Sequence, residues 1–220
     1  MSEATNGSGI REHVLLFSRF LRSPRTVGAL APSSQALARA VADELRRGSG
    51  RRVVELGPGT GALTAELMRR LKPEDRFLAV DIDPEFVREL QGRWPALEFV
   101  CGSAARLSQI AADHGMAAVD HVISGLPFST LPAEVTRQVL DSVGRTLRPG
   151  GLFTTFQYAH AYHMSTSAAF RREMTATLGA RPARRLIVRN VPPCFVLTWQ
   201  RSASASAPPG GLKPAPPEYA

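Results

Sequence analysis

Residues Val53-Val54-Glu55-Leu56-Gly57-Pro58-Gly59-Thr60-Gly61 constrain this chain more than any other stretch. A short β-branched run reaches an acidic residue, and three glycines follow at alternate positions. From Gly61 on, apolar residues recur at helical spacing. A strand that turns this tightly onto a helix leaves its backbone bare for a ligand. Twenty positions beyond Gly61, Phe77-Leu78-Ala79-Val80-Asp81 ends a second strand in a carboxylate. A strand-end carboxylate at that spacing suits the two hydroxyls of a ribose. The pattern predicts a bound nucleoside cofactor.

The rest of the chain extends this unit. Strands are expected at 52–57, 76–81, 97–101, 118–124 and 152–158, alternating with helices at 61–72, 84–92, 104–114, 132–147 and 167–178. Arg148-Pro149-Gly150-Gly151 marks the end of the fourth of these helices. Two final strands, 185–190 and 195–200, are separated by Val191-Pro192-Pro193-Cys194, too short for a crossover helix, so they must pair antiparallel. Repeated β-α units with such a hairpin predict an α/β fold. Its centre is a doubly wound, seven-stranded, mostly parallel, Rossmann-like sheet. Two helices should precede it, at 10–22 and 33–47. In the first, Ile10, Val14, Phe17 and Leu21 share one face and Arg11, Arg19 and Arg22 lie mostly on the other. Residues 1–9 read as disordered, 10–50 as a helical N-terminal segment, 51–201 as the catalytic domain and 202–220 as a Ser/Ala/Pro/Gly tail unable to offset its ordering entropy.

Charge bears on the partner. The 220-residue chain has a net charge of +8, unevenly spread. Residues 1–52 carry nine Arg against four acids, and residues 171–201 carry seven Arg against one acid. Residues 53–170 carry ten Lys/Arg against thirteen acids. An acidic centre between two basic ends suits a polyanion, either anionic lipid or nucleic acid; solubility alone is the plainer reason for such charge. No apolar run reaches the ~18 residues of a membrane span. The small, polar residues 1–9 lack signal-peptide features, which points to the cytoplasm. Cys101 and Cys194 give neither metal-ligand spacing nor a disulfide framework, and Cys101 in its apolar run is expected to be a buried, inert thiol.

The glycine spacing narrows the cofactor. A dinucleotide fingerprint is Gly-x-Gly-x-x-Gly, whereas here Gly57, Gly59 and Gly61 alternate, with Glu55 before them. This matches the motif of the class I S-adenosylmethionine-dependent methyltransferases. The match implies Glu55 near the methionine end of S-adenosylmethionine, the glycines beneath the ligand and Asp81 on the ribose. Gly102-Ser103-Ala104 ends the third strand where that class usually has Gly-Asp-Ala, placing Ser103 and Ala104 at the adenine. Ser124-Gly125-Leu126-Pro127-Phe128 ends the fourth strand at the mouth of the sheet, where Ser124 would border the cofactor. Phe128 there is either a contact of the acceptor or sulfonium or a core residue.

More specifically, the chain resembles the bacterial soluble-type phospholipid N-methyltransferases, which methylate phosphatidylethanolamine toward phosphatidylcholine. The resemblance spans about residues 14–201. It rests on Phe20-Leu21-Arg22-Ser23, Gly28-Ala29-Leu30-Ala31-Pro32-Ser33-Ser34, the run Val53–Gly61, Ser124-Gly125-Leu126-Pro127 and Arg189-Asn190-Val191-Pro192-Pro193. It implies an aminolipid substrate and peripheral attachment to the anionic inner face of the cell membrane through residues 10–22. Packing of that helix on the domain is the other reading of the same pattern. The core is also similar to the rRNA adenine N6-dimethyltransferases, which have Asn-Leu-Pro-Tyr or Asn-Leu-Pro-Phe at the fourth strand. Gly125 occupies the Asn position here, which weighs against nucleic acid. A small-molecule amine is a further alternative, and Phe128-Ser129-Thr130 departs from the more aliphatic stretch of many lipid enzymes. Methyl transfer to an amine requires alignment of its lone pair and loss of a proton. Tyr158, His160, Tyr162 and His163 are the polar residues on the expected rim, and Tyr158 is singled out as an acceptor contact; all four also fit a plain surface loop.

Overall fold

A computed structural model describes residues 32–203. The expected helix 10–22, the segment 1–9 and the tail from residue 204 lie outside the described residues. The elements are α1 (Pro32–Ala42), β1 (Arg52–Leu56), α2 (Ala62–Met68), β2 (Arg76–Asp81), α3 (Pro84–Arg93) and β3 (Glu98–Cys101). A single 3₁₀ turn (Ala104–Arg106) leads into α4 (Leu107–Asp113), β4 (Val119–Ser124), α5 (Ala133–Thr146) and β5 (Leu147–Tyr158). The chain continues through α6 (Ser165–Leu178), β6 (Ala183–Ile187) and β7 (Cys194–Gln200).

The strands form one seven-stranded sheet in the order β3-β2-β1-β4-β5-β7-β6. β1 to β5 run parallel, while β7 is antiparallel to both β5 and β6. The terminal hairpin expected from the sequence is therefore present, with β7 inserted between β5 and β6. The two sheet faces are covered separately. Val54, Leu56, Leu78 and Val80 pack with residues of α4, α5 and α6, while Val53, Phe77 and Ala79 pack with residues of α1, α2 and α3. Alternate side chains feed alternate layers, so strands buried on both faces read as continuous apolar runs. Glu55 interrupts such a run, on the same face as Val53. The strand order reverses between β1 and β4, and ligands of such sheets bind at the carboxyl ends beside that reversal.

Several boundaries shift for local reasons. α2 starts at Ala62 because Gly61 is left-handed, with φ 81°. β5 begins at Leu147, the last residue of the expected helix 132–147, and runs through the segment expected to separate that helix from the strand. Leu147 pairs with Val119 and Leu152 with His121, so Arg148-Pro149-Gly150-Gly151 forms an irregularity within the strand rather than a break before it. Gly150 tolerates this with φ 75° and donates its N–H to the Arg201 carbonyl at 2.8 Å. β6 occupies 183–187 rather than 185–190, and residues 188–193 form the turn. Cys101 overturns its expectation: it ends the four-residue edge strand β3 and is exposed, with Sγ 3.8 Å from the Ile82 carbonyl. An edge strand has a neighbour on one side only, so its apolar pattern does not ensure burial. Cys194 is fully buried, and burial pushes its thiol up to about 11.

Candidate active site

The glycine turn and the end of β2 are tied together. Gly57, Gly59 and Gly61 all have positive φ, of 68°, 54° and 81°. The Gly59 N–H donates to Asp81 Oδ2 at 3.0 Å, and the Asp83 N–H donates to Asp81 Oδ1 at 3.0 Å. Asp83 then caps α3 by accepting the Glu85 N–H at 2.9 Å. The Asp81 carboxylate is thus fixed at the strand end with acceptor capacity to spare. Burial raises its pKa, against the pull of these backbone N–H groups.

Glu55 is a carboxyl set in the interior of β1. It is completely buried, and Oε2 accepts the Thr64 hydroxyl of α2 at 2.7 Å. Its Oε1 has no hydrogen-bond partner. Burial pushes the carboxyl up to about 8, opposed by the Thr64 bond and assisted by the Asp81 charge. An unpaired buried carboxyl oxygen is costly, of order 1–3 kcal/mol or more, and burial keeps this group protonated at neutral pH.

The three glycines do different things. A Cβ on Gly57 would lie 2.8 Å from Leu126 Cδ2, so this glycine admits the loop after β4. A Cβ on Gly61 would lie 2.6 Å from Leu90 and 2.8 Å from Trp94, so its missing side chain lets α3 pack close. Gly59 supplies the N–H held by Asp81. Gly125 is equally tight: its Cβ would be 2.8 Å from the Gly57 carbonyl oxygen.

A cleft at the carboxyl ends of β1, β2 and β3 gathers Gly57, Asp81, Ser103 and Ala104. Four of the cofactor residues named from the sequence thus line one cavity. Gly102 and Ile82 complete that wall, and Leu126, Leu131, Val135 and Val139 close the opposite side. Sequence reasoning missed this apolar wall. Leu131, Val135 and Val139 recur every four residues, a spacing that signals a buried face without saying that a ligand shares it. Ser103 Oγ accepts the Ala105 N–H at 3.3 Å and so caps the 3₁₀ turn. Glu55 and Ser124 do not line the cleft. Ser124 is buried, and its Oγ accepts the Leu126 N–H at 3.2 Å, which shapes the loop between β4 and α5.

A second cavity, of about 320 Å³, lies on the other side of that loop. Gly125, Leu126, Pro127 and Phe128 form one wall, and Phe156, Tyr158, Ala161 and Met164 form another, with Ser129, Thr130, Gln157 and His160 as polar groups. Leu126 borders both cavities. Phe128 is only 4% exposed, stacks on Phe170 at 4.3 Å and meets Phe153 edge-on, so it is a core residue with an edge at the cavity. Tyr158 stands at the rim, stacked on His160 at 5.7 Å, and burial raises its pKa, keeping the phenol neutral. Tyr162 faces elsewhere, beneath the Arg171 guanidinium at 3.8 Å.

This strand order, with β7 antiparallel between β5 and β6, is the class I methyltransferase fold. Residues 53–151 match the methyltransferase domain family model. The chain is 33% identical over 147 residues to the ornithine lipid N-methyltransferase of Singulisphaera acidiphila, covering 66% of this chain and 77% of that one. The chain belongs to the class I S-adenosylmethionine-dependent methyltransferases. It is also 47% identical over 57 residues to the ribosomal RNA small subunit methyltransferase A of Burkholderia ambifaria, but that match covers only 25% of this chain and 21% of that one. In fold it is similar to the 1,6-didemethyltoxoflavin-N1-methyltransferase of Burkholderia thailandensis, with a TM-score of 0.65 at 19% identity over 92% of each chain.

The cofactor is S-adenosylmethionine, and the residues present fit it. The fixed Asp81 carboxylate suits vicinal hydroxyls and the apolar wall of the cleft suits a purine face, while Glu55 lies buried behind the glycine turn, off the cleft surface. When bound, this cofactor supplies a methyl group already activated on a sulfonium. Asp81 and Gly57, which line the cleft, would hold the donor, and Leu126, which borders both cavities, would lie between donor and acceptor.

Proposed function

We propose that the protein transfers methyl groups to the amine of a membrane aminolipid, phosphatidylethanolamine or an ornithine lipid being the substrates of choice. The observation that carries this reading is the cavity beside the cofactor cleft. Its walls are largely apolar, with Ser129, Thr130, Gln157 and His160 as its polar groups, and its volume of about 320 Å³ suits a headgroup with the first part of its lipid stem. The ornithine lipid relative supports the same chemical class. Tyr158 contacts the acceptor at the rim, and residues 10–22 attach the enzyme to the anionic surface from which the lipid is drawn. Among the described residues, no helix is long and apolar enough to cross a membrane, which agrees with a peripheral mode of access.

The rRNA reading is weaker on a specific point. Gly125 stands where adenine methylases carry Asn, and any Cβ there meets the Gly57 carbonyl oxygen at 2.8 Å. The decisive experiment incubates the protein and labelled S-adenosylmethionine with vesicles of phosphatidylethanolamine, vesicles containing ornithine lipid, and ribosomal RNA. Label in a lipid resolved by thin-layer chromatography is expected. Label in RNA and in neither lipid overturns the proposal.

A further inference from the structure

Five large apolar side chains are exposed among the described residues: Tyr158 at 38%, Met164 at 50%, Leu186 at 49%, Val188 at 67% and Val191 at 79%. All five belong to one end of the sheet. Tyr158 ends β5 and pairs with Cys194, which in turn pairs with Ile187 at the end of β6. The β6–β7 turn, residues 188–193, therefore projects from the same carboxyl end that carries both cavities. The Ala159 N–H donates to the Pro193 carbonyl at 2.8 Å, which binds this turn to the rim of the acceptor cavity. Asn190 is buried, and its Nδ2 donates to the Pro192 carbonyl at 2.6 Å. The turn is thus held from within while Val188 and Val191 point outward.

Cations accompany these side chains. Arg181, Arg184, Arg185 and Arg189 are exposed. Arg185 pairs with Glu44, and Arg184 lies over the Phe195 ring. Arg189 has no carboxylate partner among the described residues. Arg184 and Leu186 share one face of the edge strand, leading toward Val188. Isolated exposed apolar residues need no explanation, but five at one end of the sheet, with arginines beside those of β6 and its turn, match a surface whose tip enters lipid while its base meets anionic headgroups.

We propose that the β6–β7 turn, with Val188, Arg189 and Val191 at its tip, is a docking surface for an anionic bilayer that sets the acceptor cavity against the lipid. The inference rests on the aminolipid reading above but concerns where the membrane is met. It is independent of residues 10–22.

The test uses the full chain with vesicles of phosphatidylglycerol and phosphatidylethanolamine, and with phosphatidylcholine vesicles as the neutral control. Val188→Asp/Val191→Asp is expected to weaken sedimentation with the anionic vesicles about tenfold or more, and Arg189→Ala about fivefold. Binding of S-adenosylmethionine by calorimetry serves as the check of folding and should not move. A polarity-sensitive fluorophore on Val191→Cys, in a Cys101→Ser background, should shift to the blue on anionic vesicles and not on neutral ones. Residues 10–22 cannot produce that local signal. A fluorophore that does not shift, or unchanged sedimentation of the double variant, overturns the proposal. Insertion at residue 191 with no label in any lipid would leave the docking surface standing and remove the lipid substrate.

Discussion

Asp81 accepts the backbone N–H of Gly59 at 3.0 Å, so the end of β2 fixes the glycine turn that follows β1. One carboxylate thereby holds the loop and faces the cofactor cleft. Asp81→Ala is expected to lower affinity for S-adenosylmethionine by about 1–3 kcal/mol. Asp81→Asn keeps one acceptor oxygen and should lose less. Titration calorimetry on both variants checks this; unaltered affinity in the alanine variant would place Asp81 outside the site.

Glu55 makes a pH-dependent contribution whose direction follows from its burial. Its pKa of about 8 in the folded protein lies above the ordinary 4.5. A carboxyl raised in this way supports folding fully below about pH 4.5, and that support is lost as the pH climbs through 8. The swing is at most about 5 kcal/mol. The thermal midpoint of the cofactor-free protein should therefore fall between pH 5 and 8, and Glu55→Gln should flatten that fall. An ammonium brought beside Oε1 would favour the ionised form, so a cofactor that reaches Glu55 should release a proton on binding near pH 7. Binding enthalpies measured in buffers of different ionisation heat would reveal it, and buffer-independent enthalpies would count against an ammonium at Glu55.

The sheet was legible in the sequence because its strands are short apolar runs separated by glycine and proline signals. The gathering of Gly57, Asp81, Ser103 and Ala104 at one cleft was legible because all four lie at strand ends, where the topology brings them together. Other features needed coordinates. Leu126 reads as one more loop residue, yet it separates two cavities, a role set by the approach of Gly57 and Gly125. Gly61 reads as a ligand-facing glycine, yet its open side is filled by Leu90 and Trp94. Cys101 reads as buried, yet β3 is an edge. In each case the deciding contact comes from a segment distant in the chain, and local pattern carries no record of it.

Gly125 sits so close to the Gly57 carbonyl that it has no room for a side chain. Gly125→Ala forces a Cβ to 2.8 Å from backbone oxygen, which must move. We expect destabilisation of about 1–3 kcal/mol and a weaker hold on the cofactor, because Gly57 shifts with it. Gly125→Asn should fare no better and should not confer methylation of ribosomal RNA. Thermal melts with and without S-adenosylmethionine report both effects, and a fully stable Gly125→Asn protein would contradict the packing argument.

Phe128 and Tyr158 border the same cavity, but their surroundings assign them different work. Phe128 is stacked on Phe170 within the core, so Phe128→Ala removes buried surface and should cost about 3–5 kcal/mol of stability. Phe128→Leu, which refills much of the space, should recover most of that loss and most of the activity. Tyr158 is at the rim and its phenol stays neutral, so the role we propose for it is that of a hydrogen-bonding group rather than a base. Tyr158→Phe should leave the thermal midpoint and cofactor affinity unchanged while lowering kcat/KM for the lipid up to about tenfold, the worth of one hydrogen bond. The pH profile should keep its shape, because no titrating group is lost. A profile that loses a limb in Tyr158→Phe would instead make this phenol the proton acceptor.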